Sequence, residues 1–378
     1  MKLVHFGILG GFSSTFAASP RNLKTEFEAW KFKYQVSYNA YENSRKFEVF
    51  KENLDLIQKH NEDFKKGFET FTLKIGKFAA MSYAEFKKTH LVERTNNIGN
   101  KKMQREWECP GTFNNNGLPL PVLKSYSDGK ECWDNTGNCQ DIEILVTGVK
   151  DQGDCGSCWA FGTAVAVEGN LCKQGRFDCT TWQGLSEQEL LDCASHTNRD
   201  SSGEFVYDLN PFDNGGCNGG FQSNALRYIM KNNYQWNSEE DYPYTSGDSS
   251  RAGDCDFNPD NAISQVLTNC GDASGISESG LADLINQVGP VTVGMDASGP
   301  KIMHYESGVW SNDLCRPNNL DHAVSITGFG VYPYPGGESY WEVKNSWGTD
   351  WGMNGYLLLE KGTGDRCGLT TDVQFVIE

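Results

Sequence analysis

Polar and apolar residues recur with helical spacing in the first quarter of the chain. Six residues follow one another at intervals of four, four, three, four and four positions: Glu42, Lys46, Phe50, Asn53, Ile57 and Asn61. An α-helix makes one turn every 3.6 residues, so these side chains share one face. The spacing predicts a long amphipathic helix inside a helical segment that spans about 20–115.

A different pattern marks the rest of the chain. An apolar run follows Cys158 and predicts a buried helix that begins there. Ser186 and Glu189 have the spacing of a capping box, which predicts a short helix. Residues 291–293 and 340–343 are typical of strands, and glycines lie between them. The expected class is therefore α+β, with a helical unit followed by a β-rich unit.

The N-terminus is typical of a secretory signal peptide. Lys2 is followed by an apolar stretch to Phe12 and by small residues to Ser19. The stretch is shorter than the ~20 apolar residues of a membrane span. We expect a signal peptide over 1–18, no membrane span, and a destination in the secretory pathway, either a lysosome or vacuole or the extracellular space.

Charge divides the 378 residues into two unlike parts. Residues 20–108 hold 18 Lys and Arg against 13 Asp and Glu, whereas residues 109–378 hold 14 against 37. The acidic majority argues against a nucleic-acid partner, because phosphates attract basic surfaces.

Thirteen cysteines behind a secretion signal indicate disulfides, and the odd number leaves one thiol over. Cys132 and Cys139 flank a short turn, as do Cys172 and Cys179, which predicts two local bridges.

The sequence Cys155-Gly-Ser-Cys-Trp159 lies at the predicted start of a helix, and Gln152 precedes its second cysteine by six positions. A thiol at a helix N-terminus has a lowered pKa and becomes a nucleophile. Two cysteines at this spacing also fit a redox pair or half of a zinc site. Neither alternative requires a distant histidine and asparagine, and zinc would need two more clustered ligands.

Two further motifs supply that histidine and asparagine. His322 stands in Leu320-Asp-His-Ala-Val324, and Asn345 stands in Lys344-Asn-Ser-Trp-Gly348. Together with the cysteine motif they resemble papain-family cysteine proteases, in particular cathepsin L-like proenzymes. The resemblance implies Cys158 as nucleophile, His322 as its base and Asn345 as the residue that orients the imidazole.

The same resemblance implies the surroundings of the site. Trp347 would cover the bond between histidine and asparagine, and the Gln152 amide would complete an oxyanion hole. Gly219 and Gly220 would pair with the substrate backbone, and Asp321 would also bind substrate. Asp372 falls on the floor of the S2 pocket and Gly294 on its wall, so we expect Arg or Lys to be tolerated at P2. Four acidic residues of an insertion would border these subsites: Asp200, Glu204, Asp208 and Asp213.

The fold implied by the resemblance is a papain-like two-lobe fold behind an N-terminal α-helical propeptide. The propeptide would span 19–117 and the catalytic domain 118–378, beginning near Leu118 in a Pro/Gly/Asn-rich linker. The helical lobe would cover about 150–260 and the β-barrel-like lobe about 261–378. The six-residue stripe resembles the family's ERFNIN pattern, with Lys46 in place of arginine.

The propeptide departs from the family at a second pattern. Ala80 stands where the family has an aspartate, and of that pattern only Phe78 is kept. We therefore expect acid to release the basic propeptide by neutralising carboxylates on the acidic catalytic unit.

Carrying over the family's disulfides implies Cys155–Cys217, Cys193–Cys255 and Cys315–Cys367. The pairing of Cys109 and Cys270 stays open. Since Cys155 would be consumed in a bridge, a thiol–disulfide oxidoreductase becomes the weaker alternative. A catalytically silent papain-like binding protein is the other, and it would need a lost catalytic residue.

The expected function is that of a cysteine endopeptidase made as an inactive secreted proenzyme, acting through a thioester on Cys158. No cofactor or metal is expected. The expected partners are peptide and protein substrates, the chain's own propeptide and protein inhibitors of cysteine proteases. A histidine-bearing insertion after the glycine-rich loop would indicate a carboxypeptidase, and none follows Gly220.

Overall fold

The computed structural model describes residues 22–92, 109–117, 119–134, 136, 138–195, 214–311, 315–316, 319–333 and 337–377. The predicted signal peptide, Leu118 and the acidic insertion with Asp200, Glu204, Asp208 and Asp213 lie outside these ranges. Within the ranges, no helix has the length and apolar character that crossing a membrane requires.

The N-terminal segment, here residues 22–92, contains three α-helices and one strand: α1 (Leu23–Lys33), α2 (Ala40–Lys65), β1 (Phe71–Leu73) and α3 (Tyr83–His90). The predicted amphipathic helix lies within α2, which begins at a capping box between Asn39 and Glu42. The apolar members of its stripe are buried, and Phe50 packs against Phe27 and Trp30 of α1. The segment thus has a small core of its own.

The asparagines of the stripe bind the chain that follows the helix. Asn53 Nδ2 donates to the carbonyls of Ala79 and Met81 at 2.9 and 3.0 Å. Asn61 exchanges two hydrogen bonds with the backbone of Leu73. Because these amides pair with backbone groups, they hold residues 71–81 against α2.

The described part of the helical lobe contains four α-helices: α4 (Cys158–Lys173), α5 (Glu187–Cys193), α6 (Gln222–Lys231) and α7 (Ser246–Ser249). Helix α4 is buried from residue 158 to residue 172 and begins at Cys158 as expected. Gly162 lets it approach the β-lobe, because a Cβ there would lie 2.6 Å from Thr292 Oγ1.

The capping box predicted at the start of α5 forms only in part. Ser186 accepts from the backbone N–H of Glu189 at 3.0 Å. The Glu189 carboxylate turns instead to Tyr228 and to the backbone N–H of Asn237, at 2.9 and 2.7 Å. Tertiary partners therefore replaced the reciprocal half of the cap.

Within the described ranges, ten further strands and one helix complete the fold: β2 (Leu123–Ser125), β3 (Lys130–Cys132), β4 (Cys139–Asp141), β5 (Asn269–Asp272), α8 (Glu278–Val288), β6 (Val291–Met295), β7 (Tyr305–Trp310), β8 (His322–Tyr332), β9 (Glu338–Lys344), β10 (Tyr356–Glu360) and β11 (Val373–Ile377). The main strand order is β1-β7-β10-β9-β8-β2-β3-β4, while β6 joins β8 to β11 and β11 pairs with β5. All pairs are antiparallel except β7 with β10. The N-terminal segment adds β1 to the exposed edge of β7.

Twelve of the thirteen cysteines form six disulfides, and Cys158 keeps its thiol. The pairs are Cys109–Cys270, Cys132–Cys139, Cys155–Cys217, Cys172–Cys179, Cys193–Cys255 and Cys315–Cys367. The structure thus joins Cys109 to Cys270, the pair that the sequence left open.

Candidate active site

Cys158 is the first residue of helix α4, at the end where the helix dipole favours a negative charge. The residue is 2% exposed beneath the N-terminal segment. Ser325 Oγ of β8 donates to the carbonyl of Gly162 at 3.2 Å. Cys158 lies one turn before Gly162 and shares a buried cluster with Ala323, which follows His322 at the start of β8.

Asn345 fixes the tautomer of His322. The backbone N–H of Ser346 donates to Asn345 Oδ1 at 2.8 Å, which identifies that atom as an acceptor. His322 Nε2 lies 2.8 Å from the same oxygen and must therefore carry a proton. The Nδ1 lone pair has no hydrogen-bond partner among the described residues, so it can accept the thiol proton.

Trp347 covers this pair. Its ring stacks on the His322 ring with centroids 4.7 Å apart and planes 29° apart. Burial lowers the pKa of His322 to about 4, and the bond to Asn345 opposes that shift. While the site is covered, the imidazole is therefore held neutral.

Gln152 is held with its amide N–H₂ directed to the cleft. Ser346 Oγ donates to Gln152 Oε1 at 2.6 Å, which leaves Nε2 as the donor end. Nε2 lies 2.8 Å from the carbonyl of Cys155 and 3.5 Å from that of His90. The amide that would bind an oxyanion thus faces a carbonyl of the N-terminal segment.

The N-terminal segment passes through the cleft at residues 90–92. The backbone N–H of Val92 donates to the carbonyl of Asp321 at 2.7 Å. Its side chain lies on Gly219, where an added Cβ would be 2.3 Å from Val92 Cγ1. Gly219 and the Asp321 backbone therefore contact an extended chain. Gly220 differs, because its Cα faces the Trp159 ring.

The two residues predicted for the S2 pocket are neighbours. The backbone N–H of Gly294 donates to the carbonyl of Asp372 at 2.9 Å. A Cβ added to Gly294 would lie 3.4 Å from Asp372 Cβ and 2.8 Å from Leu320 Cδ1. The missing side chain thus leaves space between Asp372 and Leu320, and Asp372 is half-buried.

Comparison with known proteins agrees with this geometry. Residues 135–377 match the model of the papain family cysteine proteases, and residues 27–86 match that of the cathepsin propeptide inhibitor domain. The chain belongs to the papain family of cysteine proteases. It is a cathepsin L-like proenzyme, since both parts are present in order.

Relatives of the family match over nearly the whole chain. Cathepsin L of Sarcophaga peregrina is 34% identical over 376 residues, 98% of this chain and 98% of that protein. Human cathepsin L2 is 32% identical, covering 99% of this chain and 98% of that protein. Among solved structures, digestive procathepsin L 3 of Tenebrio molitor aligns with a TM-score of 0.75 and 29% identity, covering 95% of this chain and all of that one.

Sequence reasoning missed a buried ionic network behind the site of this papain-family chain. Lys344, next to Asn345, donates to the carbonyl of Thr147 at 3.0 Å, and Thr147 Oγ1 donates to Glu168 at 2.6 Å. Lys150 pairs with Glu187 at 2.7 Å in the same region. The signal in the sequence was Lys344 itself, a charged residue at the end of the strand that leads to Asn345. Its partners are far away in the chain and are set by the packing of the two lobes.

Proposed function

We propose that this proenzyme gives rise to an endopeptidase in which Cys158 attacks the scissile carbonyl and forms a thioester. The observation that carries the proposal is the hydrogen bond from His322 Nε2 to Asn345 Oδ1. It leaves Nδ1 as the acceptor beside the thiol and so supports a thiolate–imidazolium pair.

The reaction then proceeds in two halves. His322 takes the thiol proton, and the sulfur bonds to the carbonyl carbon. The resulting oxyanion is stabilised by Gln152 Nε2 and the backbone N–H of Cys158. When the intermediate collapses, the C–N bond breaks and His322 protonates the leaving amine. Water, deprotonated by His322, hydrolyses the thioester and restores the thiol.

The propeptide acts as the inhibitor by occupying the cleft. Two contacts support this: the His90 carbonyl faces the Gln152 amide, and Val92 lies between Asp321 and Gly219. We place the boundary between propeptide and catalytic domain in the linker that ends near Leu118. The proposed route is the secretory pathway, towards a lysosome or vacuole or the cell exterior. Protein inhibitors of cysteine proteases would compete for the same cleft.

Thiol blocking separates the protease from an oxidoreductase. Alkylation of Cys158 in the acid-activated protein should abolish peptide hydrolysis completely, with Cys158→Ala as the genetic equivalent. Reduction of a protein disulfide should be absent before and after, because Cys155 is already bonded to Cys217. Hydrolysis that survives alkylation of Cys158 would contradict the proposal.

A charged S2 pocket is the finer part of the proposal. Asp372 lies beside the space that Gly294 leaves open, so a P2 arginine would form a charge-assisted hydrogen bond there. We expect Asp372→Ala to reduce kcat/KM for a P2-Arg peptide by about tenfold relative to its P2-Leu counterpart, roughly one charged hydrogen bond. Asp372→Asn is the matched control for size. If both variants keep the wild-type ratio of kcat/KM between the P2-Arg and P2-Leu peptides, Asp372 does not contribute to P2 selectivity.

A further inference from the structure

We propose that residues 109–117, here called the strap, stay covalently bound to the catalytic domain after the rest of the propeptide has left. The bond is the disulfide between Cys109 and Cys270. The proposal rests on the proposed function, because it concerns the product of proenzyme activation. The matched regions of the two family models, 27–86 and 135–377, leave the strap between them.

The strap is anchored deep in the catalytic domain. Cys270 lies in β5, is completely buried, and its sulfur is 3.5 Å from Met230 Sδ of α6. Cys109 packs against the same core of the helical lobe. Burial of Cys270 shields that sulfur of the bond from attack by thiols in solution.

Backbone contacts continue where the disulfide ends. The N–H of Gly111 donates to the carbonyl of Cys270 at 2.8 Å, and Gly111 pairs with Gly271 as a parallel bridge. A Cβ on Gly111 would lie 2.7 Å from the Cys270 oxygen, and one on Gly271 would lie 2.7 Å from the Gly111 oxygen. Both positions need glycine for this approach, so the strap fits a surface shaped to receive it.

The far end of the strap reaches the other lobe. Phe113 packs against the core of the β-lobe, and the N–H of Asn116 donates to Asp283 of α8 at 3.0 Å. Gln287 of α8 donates to the carbonyl of Asn114 at 3.4 Å. The strap therefore contacts the cores of both lobes, and its retention would tie them together on the surface that these contacts cover.

The inhibitory part of the propeptide is held in a different way. Residues 22–92 contain no cysteine and contact the catalytic domain through noncovalent bonds, such as the β1–β7 pair and Lys77–Asp151. Removing the inhibitor therefore needs only peptide cleavage and dissociation. A cut before Cys109 leaves the strap as the N-terminus of the enzyme, and a cut after Gly117 leaves two chains joined by the disulfide.

Intact mass under nonreducing and reducing conditions tests the strap. Full-length protein is activated with acid, alkylated without reduction and analysed by mass spectrometry. We expect every active product to contain Cys109, either in one chain or in a peptide released only by reduction, with Cys270 unalkylated. An active product that lacks Cys109 and carries alkylated Cys270 would overturn the proposal.

Two variants distinguish loss of the Cys109–Cys270 bond from the general destabilisation that loss of a disulfide causes. Cys109→Ser should lose the strap mass once the chain is cut after it, and its mature form should have a lower Tm than wild type. The double variant Cys132→Ser/Cys139→Ser removes a hairpin disulfide and should keep the strap. Peptide hydrolysis is measured in the same samples. If no sample hydrolyses peptide, the protease assignment fails, and pepsin trimming of the proenzyme then decides the strap by itself.

Discussion

His90 should make release of the propeptide depend on pH. Its ring is 2% exposed and stacks on Phe86, and it meets Phe78 and Trp347 edge-on. Burial, together with the nearby Lys77 and His322, lowers the pKa of His90 to about 3. In the released propeptide the imidazole should recover its ordinary pKa of 6.5.

The two pKa values determine how the stability of the docked propeptide changes with pH. Above pH 6.5 the ring is neutral in both states and docking has its full stability. As the pH falls from 6.5 towards 3, only the released state gains the proton, so docking loses about 1.4 kcal/mol per pH unit. At pH 4.5 the loss is about 3 kcal/mol, or roughly a hundredfold in the docking equilibrium. Below pH 3 the loss stops growing.

The assay uses dilute proenzyme, with peptide hydrolysis normalised to mature activity at each pH. We expect wild type to activate roughly a hundredfold faster at pH 4.5 than at 6.5 through this residue. His90→Gln cannot titrate and should lose that gain, so its activation should need a more acidic medium. Thr89→Val is the control, because it removes the 2.7 Å partner of the ring but leaves the titrating group.

Asp321 acts in the opposite direction but does not disturb the comparison. Burial raises its pKa to about 7, so protonation of this carboxyl favours the docked state as the pH falls. It is present in wild type and in both variants, and therefore cancels in their ratio. If His90→Gln and wild type share one pH profile, the burial argument for His90 is wrong.

Three further outcomes are expected. Asn345→Ala should lower kcat by roughly a hundredfold, measured on a fluorogenic peptide, because the imidazole loses its orienting acceptor. Phe86→Ala should weaken docking by about 3 kcal/mol and let the proenzyme activate nearer neutral pH, since the ring packs edge-on against Trp347; circular dichroism must show that the variant folds. Lys77→Met removes the ion pair with Asp151 and should change the free energy of docking by less than about 1 kcal/mol. A large shift in the activation pH of this variant would indicate that the overall charge difference, and not His90, drives release of the propeptide.

Among the described residues, the charge difference between the two parts of the chain gives few close ion pairs between them. Lys33 pairs with Asp350 at 3.2 Å and Lys77 with Asp151 at 2.5 Å, and each includes a substantially exposed partner. Lys301 with Glu69 has the reverse polarity. Ala80, at the position of the family's aspartate, is buried beside Phe27 and Trp30 in an apolar core. Release by neutralised carboxylates stays a prediction, and the buried His90 is the sharper trigger.

Short-range patterns in the sequence were enough to predict the main helices and the class of chemistry. The stripe in α2 and the start of α4 at Cys158 depend on residues within a few turns of one another. The two motifs around His322 and Asn345 predicted which side chains meet only through their resemblance to the papain family.

Only the tertiary structure decided which distant groups became partners. It joined Cys109 to Cys270 across 161 positions and placed the His90 carbonyl at Gln152. It also gave the Glu189 carboxylate a hydrogen bond from Tyr228 in place of the capping bond to the backbone of Ser186. Local sequence encodes backbone conformation through sterics and periodicity. The partner of a buried thiol, carboxylate or carbonyl depends on how whole lobes pack, and no local spacing records that.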